Sequence, residues 1–263
     1  MRHLFWVFIL AVLVSLIVGS AASSPAVAGS IEGLAGWEGD GLSQGYGFVG
    51  IGSLRPMGTH LTLVTRLAGS YLYYNFESSG TSTSVTSPGV TGMTGMRVTF
   101  TKGSLSALGG YETRWEHRRS DLGRQVIVVG GRRVEIVGHL NENNISGGGV
   151  LQADADVGLG RRWRGFLSAN YAGAARYLFS RVAVRWQATN LEWENPLAFF
   201  MGVEGIRQGN DESAAAQGGP FLEWSFVPQR LSVALRGGYK DSWSANGPHR
   251  HSGYAGVNVY HQF

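Results

Sequence analysis

A chain of 263 residues with 40 glycines, no cysteine and a formal net charge of +4 excludes a disulfide framework and an anchor built on a lipid-modified N-terminal cysteine. So mild a charge balance gives no electrostatic case for nucleic acid, and no such partner is expected. The glycines run at about twice the usual ~7% share and are spread through the chain rather than gathered in a linker, so one folded unit is expected after the first segment.

That first segment, residues 1–28, reads as a signal peptide. Arg2 and His3 precede an uncharged apolar run from Leu4 to Val18, and Ala26-Val27-Ala28 supplies the small-residue cleavage pattern, with cleavage before Gly29. The run is shorter than the ~20 residues a membrane helix needs, and no later stretch reaches even that length. Export without a membrane helix leaves the periplasm, the medium or the outer membrane.

Residues 29–263 divide into alternating stretches of roughly ten to fourteen residues bounded by turn formers. The expected strands are Ile31–Gly39, Gln44–Leu54, His60–Phe76, Gly89–Thr101, Ser104–Glu116, Gly147–Gly160, Trp163–Ala172, Ala174–Gln187, Leu197–Gln208, Gly218–Val227, Leu231–Ser242 and Ser252–Phe263. Leu231, Val233, Leu235 and Tyr239 take one side of their strand, while Ser232, Arg236 and Lys240 take the other. Likewise Leu151, Ala153, Ala155, Val157 and Leu159 oppose Gln152, Asp154 and Asp156. A helix would scatter these charges around its circumference, whereas a strand gathers them on one face.

The connections have their own alternation. Those after even-numbered strands are mostly short, such as Lys102-Gly103, Arg161-Arg162 and Pro228-Gln229-Arg230; Ala188 to Pro196 is somewhat longer. Those after odd-numbered strands are mostly long and polar, namely Glu77 to Pro88, His117 to Ser146, Gly209 to Gln217 and Trp243 to His251. Short inner turns and long outer loops are the pattern of an outer-membrane barrel. The expected fold is therefore all-β, a closed antiparallel transmembrane β-barrel of about twelve strands, with apolar sides toward lipid. The tight link from Ala172 to Ala175 leaves the count open by two.

Tryptophan placement fits the same scheme. Trp37 and Trp115 fall near expected outer ends and Trp163, Trp186 and Trp193 near periplasmic ends, at headgroup level. Trp224 falls nearer a strand middle and Trp243 in a loop. The final stretch, His251 to Phe263 (HSGYAGVNVYHQF), sets Ala255, Val257, Val259, His261 and Phe263 against Tyr254, Gly256, Asn258, Tyr260 and Gln262. A terminal Phe closing such a strand resembles the C-terminal signal of bacterial outer-membrane barrels.

The inward side carries the candidate functional residues: Glu112, Arg114, Asp154, Asp156, Arg164, Arg181, Arg185, Glu204, Glu223 and Arg236. On neighbouring strands such charges pair laterally, and unpaired charges in a narrow lumen are costly. They form either a structural ladder or a selectivity lining for a small polar or sugar-like solute. A second group, Arg118, Arg119, Arg124, Arg132 and Arg133, makes a basic patch in the longest outer loop, where Val126–Val129, Gly130-Gly131 and Val134–Val137 read as a glycine-turned hairpin that either extends barrel strands above the membrane or adds a further pair to the wall. Arginines so placed bind phosphate or carboxylate bidentately, so the expected partners are outer-membrane lipid and lipopolysaccharide, with a polysaccharide as the alternative.

Catalysis is not expected. His249, His251 and Ser252 lie near the outer rim and Asp211-Glu212 in another outer loop, but adjacent residues on a strand point opposite ways, which is poor geometry for a His251–Ser252 dyad. Asp154 and Asp156 lack further ligands at metal-site spacing, and no cofactor or metal is expected.

Asn170-Tyr171, Tyr177 to Trp186 (YLFSRVAVRW), Phe200 to Gly205 (FMGVEG), Gly209 to Glu212 (GNDE), Gly218 to Phe221 (GGPF) and Leu235 to Tyr239 (LRGGY) together resemble the cellulose biosynthesis protein BcsS family. The resemblance covers most of the chain after the signal segment and is clearest from Gly147 onward. It implies an exported barrel of the outer membrane, accessory to the biosynthesis or secretion of cellulose or a related exopolysaccharide, with cellulose-secretion components or polysaccharide as partners. It carries over no catalytic residues. A small porin-like channel for polar solutes is the alternative.

Overall fold

The structure, a computed structural model, describes residues 29–78, 81–129, 132–189, 197–210, 213–244 and 249–263. The expected signal peptide lies outside the described residues. Twelve strands follow one another: β1 (Ser30–Asp40), β2 (Gly45–Pro56), β3 (Leu61–Ser78), β4 (Thr81–Phe100), β5 (Gly103–Val129), β6 (Arg132–Gly158), β7 (Trp163–Ala172), β8 (Tyr177–Gln187), β9 (Leu197–Gly209), β10 (Ser213–Phe226), β11 (Leu231–Ser244) and β12 (Arg250–Gln262). Each pairs antiparallel with the next, and β1 pairs with β12 through rungs such as Ala35↔Val259 and Trp37↔Val257, so the barrel closes. Closure leaves no bare sheet edge, which a hydrocarbon environment would not tolerate.

Side-chain burial is inverted relative to a protein folded in water. On β9, Val203 is 62% exposed while its neighbour Glu204 is 6% exposed. Leu151, Leu167, Val182, Leu222 and Leu235 are likewise exposed on the outer surface, whereas Glu32, Glu112 and Lys240 are buried inside. So much contiguous apolar surface is stable only against lipid. The period-two pattern of Leu231, Val233 and Leu235 therefore points outward, as read from the sequence.

Aromatic residues border this band. Trp163 and Trp186 are paired across β7 and β8 at the periplasmic end, and Trp115, Tyr111, Tyr171 and Tyr239 lie on the outer face toward the other end. Two tryptophans differ from the sequence reading. Trp224 lies two residues from the end of β10, packed on Phe199 with ring centroids 5.5 Å apart, and Trp243 is part of β11 rather than a loop. Trp193 lies outside the described residues.

The largest departure concerns the outer loops. Glu77 to Pro88, a polar loop by its sequence, is mostly strand, and within His117 to Ser146 the hairpin of Val126–Val129 and Val134–Val137 extends β5 and β6 above the membrane, with strand also in the polar residues on either side of it. β3 and β4 run 18 and 20 residues, and β5 and β6 run 27 each, against 10 and 11 for β7 and β8. Thr81-Ser82-Thr83-Ser84-Val85-Thr86 is polar but rich in β-branched residues, which favour extended backbone. Beyond the bilayer no hydrocarbon selects an apolar outer face, so polarity stops reporting on secondary structure. β10 similarly begins at Ser213 instead of Gly218, and the Ala174 end of the expected eighth strand belongs to the Gly173–Arg176 turn. At roughly 3.3 Å per residue, the β3–β6 segment rises well above the rest of the rim as a wall.

Glycine permits two close strand approaches. A Cβ on Gly110 would strike the backbone of Gly92 and Met93 on β4, and one on Gly219 would strike that of Gly237 and Gly238 on β11. These are points where a curved sheet brings neighbouring backbones together.

Candidate functional site

All ten charged residues expected inside the barrel belong to its inner face, and each has a polar partner there. Near the periplasmic end, Asp156 of β6 accepts from Arg164 of β7 at 2.7 Å and from Arg185 of β8 at 3.2 Å. The other Nη of Arg185 reaches Glu223 of β10 at 2.5 Å, and its guanidinium lies 4.9 Å from the ring centre of Phe200. One planar fork thus holds two carboxylates from strands on either side, which a lysine could not do with the same geometry.

Further up, Arg181 of β8 donates to Glu204 of β9 at 2.8 Å, and the Tyr254 hydroxyl of β12 donates to the other Glu204 oxygen at 3.2 Å. The Arg181 guanidinium sits 5.3 and 5.8 Å from the ring centres of Phe166 and Phe221. Arg236 of β11 meets Glu38 of β1 at 3.4 Å and Asn258 at 3.3 Å, and Gln217 of β10 donates to Glu38 at 2.8 Å. Arg114 pairs with Glu112 at 2.8 Å and donates to the Ser87 carbonyl and the Ser70 hydroxyl. Asp154 accepts from Ser168 at 2.6 Å and Gln152 at 2.8 Å.

The expectation of lateral pairing between adjacent strands is met by Asp156–Arg164 and Arg181–Glu204. Arg185–Glu223 skips a strand, and Glu112–Arg114 lies along a single one. The inside of a barrel is concave, so long side chains converge and reach past their immediate neighbours.

Several partners escaped the sequence reading. Glu32 of β1 is 0% exposed and binds Arg66 of β3 at 2.6 Å; Tyr260 donates to its second oxygen at 3.3 Å. Arg66 also comes within 4.0 Å of Asp154, joining this group to β6. Asp40 takes Lys240 at 2.7 Å. The signal is present in the sequence: Glu32, Glu38 and Asp40 alternate with Ile31, Ala35 and Trp37 at the same period of two.

The basic patch is not in a loop. Arg118 and Arg119 stand on β5, where Arg118 pairs with Glu116 and Arg119 lies 3.9 Å from Asp121. Beside them His117 Nδ1 contacts Asn143 Oδ1 at 2.7 Å, and His139 Nδ1 contacts Asp121 at 2.6 Å. Arg124, Arg132 and Arg133 have their backbones in the β5–β6 ladder, and their side chains lie outside the described residues.

At the rim of β11 and β12, His249 and His251 approach the Asp241 carboxylate at 3.4 and 3.2 Å and stack on Trp243 and Tyr239. Ser252 occupies an inward position next to outward His251, so the two do not form a dyad. Asp211 and Glu212 lie outside the described residues. Among the described residues no group of three or more potential metal ligands occurs.

Comparison with solved structures returns barrels of the same kind. The translocator domain of the autotransporter NalP from Neisseria meningitidis matches with a TM-score of 0.53 at 12% identity, covering 95% of this chain and 93% of that one. The beta domain of the Bordetella autotransporter BrkA matches at 0.49 and 9% identity over 88% and 98%. The transport unit of AIDA-I from Escherichia coli matches at 0.48 and 11% identity over 95% and 96%. At 12% identity the likeness to the NalP domain is one of fold. No protein-family model matches the sequence, and no curated protein does. With its closed twelve-strand barrel, lipid-facing apolar band and polar interior, the chain is a bacterial outer-membrane β-barrel.

Proposed function

We propose that this barrel is an electrically quiet outer-membrane protein, accessory to the export or surface organisation of cellulose or a related exopolysaccharide. The observation that carries the first half is the lattice of ion pairs inside the barrel. Arg66, Arg185, Arg236 and Lys240 each join strands that are not neighbours, and Glu32, Glu204, Gln217 and Phe221 inside are almost inaccessible. A solute path needs groups that bind weakly and release, whereas these side chains are committed to one another. The second half is supported by the sequence resemblance to the BcsS family. A barrel without a path through it acts by its surfaces, and the tall β3–β6 wall presents one outside the cell.

Two measurements test the two halves separately. In planar bilayers the purified protein is expected to give no conductance steps; regular steps would replace this reading with the porin-like one. In a cellulose-producing host, deletion of the gene is expected to lower surface cellulose, scored by Calcofluor binding, without lowering cellulose synthase activity in membranes. Unchanged surface cellulose would remove the exopolysaccharide role and leave the quiet barrel standing.

A further inference from the structure

We infer that the outer face of the β3–β6 wall carries a groove for the phosphorylated sugar headgroup of outer-leaflet lipopolysaccharide. A groove of about 490 Å³ is lined there by Tyr73 of β3, Thr86 of β4, His117 and Arg119 of β5, and Asn141 and Asn143 of β6. These residues share the strand face that lower down meets lipid, because β5 alternates outward through Trp115, His117 and Arg119. The outward rung directly below the groove is Trp115↔Ile145, 39% and 69% exposed, and the first rung of the groove is His117↔Asn143. Two residues along a strand cover roughly 7 Å. The groove therefore begins at headgroup height, continuous with the surface on which acyl chains lie.

Its chemistry suits a sugar bearing an anion. Amide, phenol and hydroxyl groups supply hydrogen bonds to sugar hydroxyls. The Asn143 carbonyl is taken up by His117 at 2.7 Å, which leaves the two N–H donors of its amide. Arg119, whose side chain is 60% exposed, brings a planar fork that matches phosphate. The acid at the upper edge, Asp121, is engaged by His139 at 2.6 Å and stands 3.9 Å from Arg119 Nε, beyond hydrogen-bond reach. A soluble polysaccharide would meet the same polar groups but would leave Trp115 and Ile145 uncovered. A lipid-anchored saccharide covers both levels at once. The inference depends on the membrane position of the barrel and not on the exopolysaccharide role, so either can fail alone.

The test uses the full mature chain, delipidated in detergent, with native mass spectrometry and titration against rough lipopolysaccharide, the same material dephosphorylated, and a soluble cello-oligosaccharide. Wild type is expected to retain rough lipopolysaccharide and to bind the dephosphorylated form more weakly. R119A is expected to weaken binding about tenfold, the size of one lost charge-assisted hydrogen bond, with partial recovery in R119K. H117A/N143A is expected to weaken both lipid forms, and R161A, at a periplasmic turn, neither. All variants must keep the heat-modifiable mobility of the folded barrel, which these exposed positions permit. Equal affinity of wild type and R119A for rough lipopolysaccharide would overturn the inference. So would cello-oligosaccharide binding stronger than lipid binding and sensitive to R119A.

Discussion

Glu204→Ala is expected to destabilise the barrel by roughly 3–5 kcal/mol, the usual cost of removing one partner from a buried ion pair. The Glu204 side chain is 0% exposed and takes Arg181 at 2.8 Å and Tyr254 at 3.2 Å. Without it the Arg181 guanidinium is left between Phe166 and Phe221 with its direct counter-charge gone and only 18% of its side chain exposed. Glu204→Gln retains an acceptor and should fall between the two. Replacing both members, as Arg181→Met with Glu204→Leu, should recover most of the loss, because no charge is then stranded. Urea unfolding in lipid vesicles, followed by tryptophan fluorescence, reads these differences directly. Val203→Ala next door faces lipid and should shift the midpoint far less. If Glu204→Ala unfolds at the wild-type urea concentration, the carboxylate is hydrated and the interior is wetter than described.

A second large effect is expected at Gly52, which carries no charge at all. A Cβ at Gly52 would stand 2.7 Å from both Cγ and Oε1 of Glu32, so Gly52→Ala must push that carboxylate off Arg66. Arg66→Ala removes the same contact from the other side and strands Glu32, the most enclosed acid of the barrel. Each substitution should cost about 2–4 kcal/mol. Because both act through one carboxylate, the double variant should cost less than their sum by about 1–3 kcal/mol. Full additivity in the same urea experiment would mean that Gly52 matters for strand curvature and not for the Glu32 position.

These residues also mark where the sequence could be read and where it could not. Alternation within Leu231–Ser242 and Leu151–Leu159 marks the face turned to lipid, because only one face of such a strand can be solvated by hydrocarbon. Beyond the bilayer that constraint lapses. Thr81–Ser84 and Asn141–Asn144 are polar on both faces, and their strands are visible only in the ladder of β4, β5 and β6.

The charged interior was legible as a set but not as pairs. Period two places Asp156, Arg185 and Glu223 inside, yet which carboxylate each arginine meets depends on barrel curvature and stagger, which one sequence does not state. Glu32 occupies an inward period-two position of β1, but its partner Arg66 lies two strands away, and nothing local in Ile31–Gly39 announces that pairing.

The chain contains no cysteine, so single cysteines placed along β11 can be labelled without a background. The measurement that bears most directly on the account is quenching of an environment-sensitive fluorophore at positions 231 to 236 by nitroxide-labelled lipid in vesicles. Labels at Leu231, Val233 and Leu235 are predicted to be quenched strongly, and labels at Ser232, Ala234 and Arg236 weakly. Uniform quenching, or strong quenching at the even positions, would contradict a barrel that turns its apolar side to lipid and its ion pairs inward.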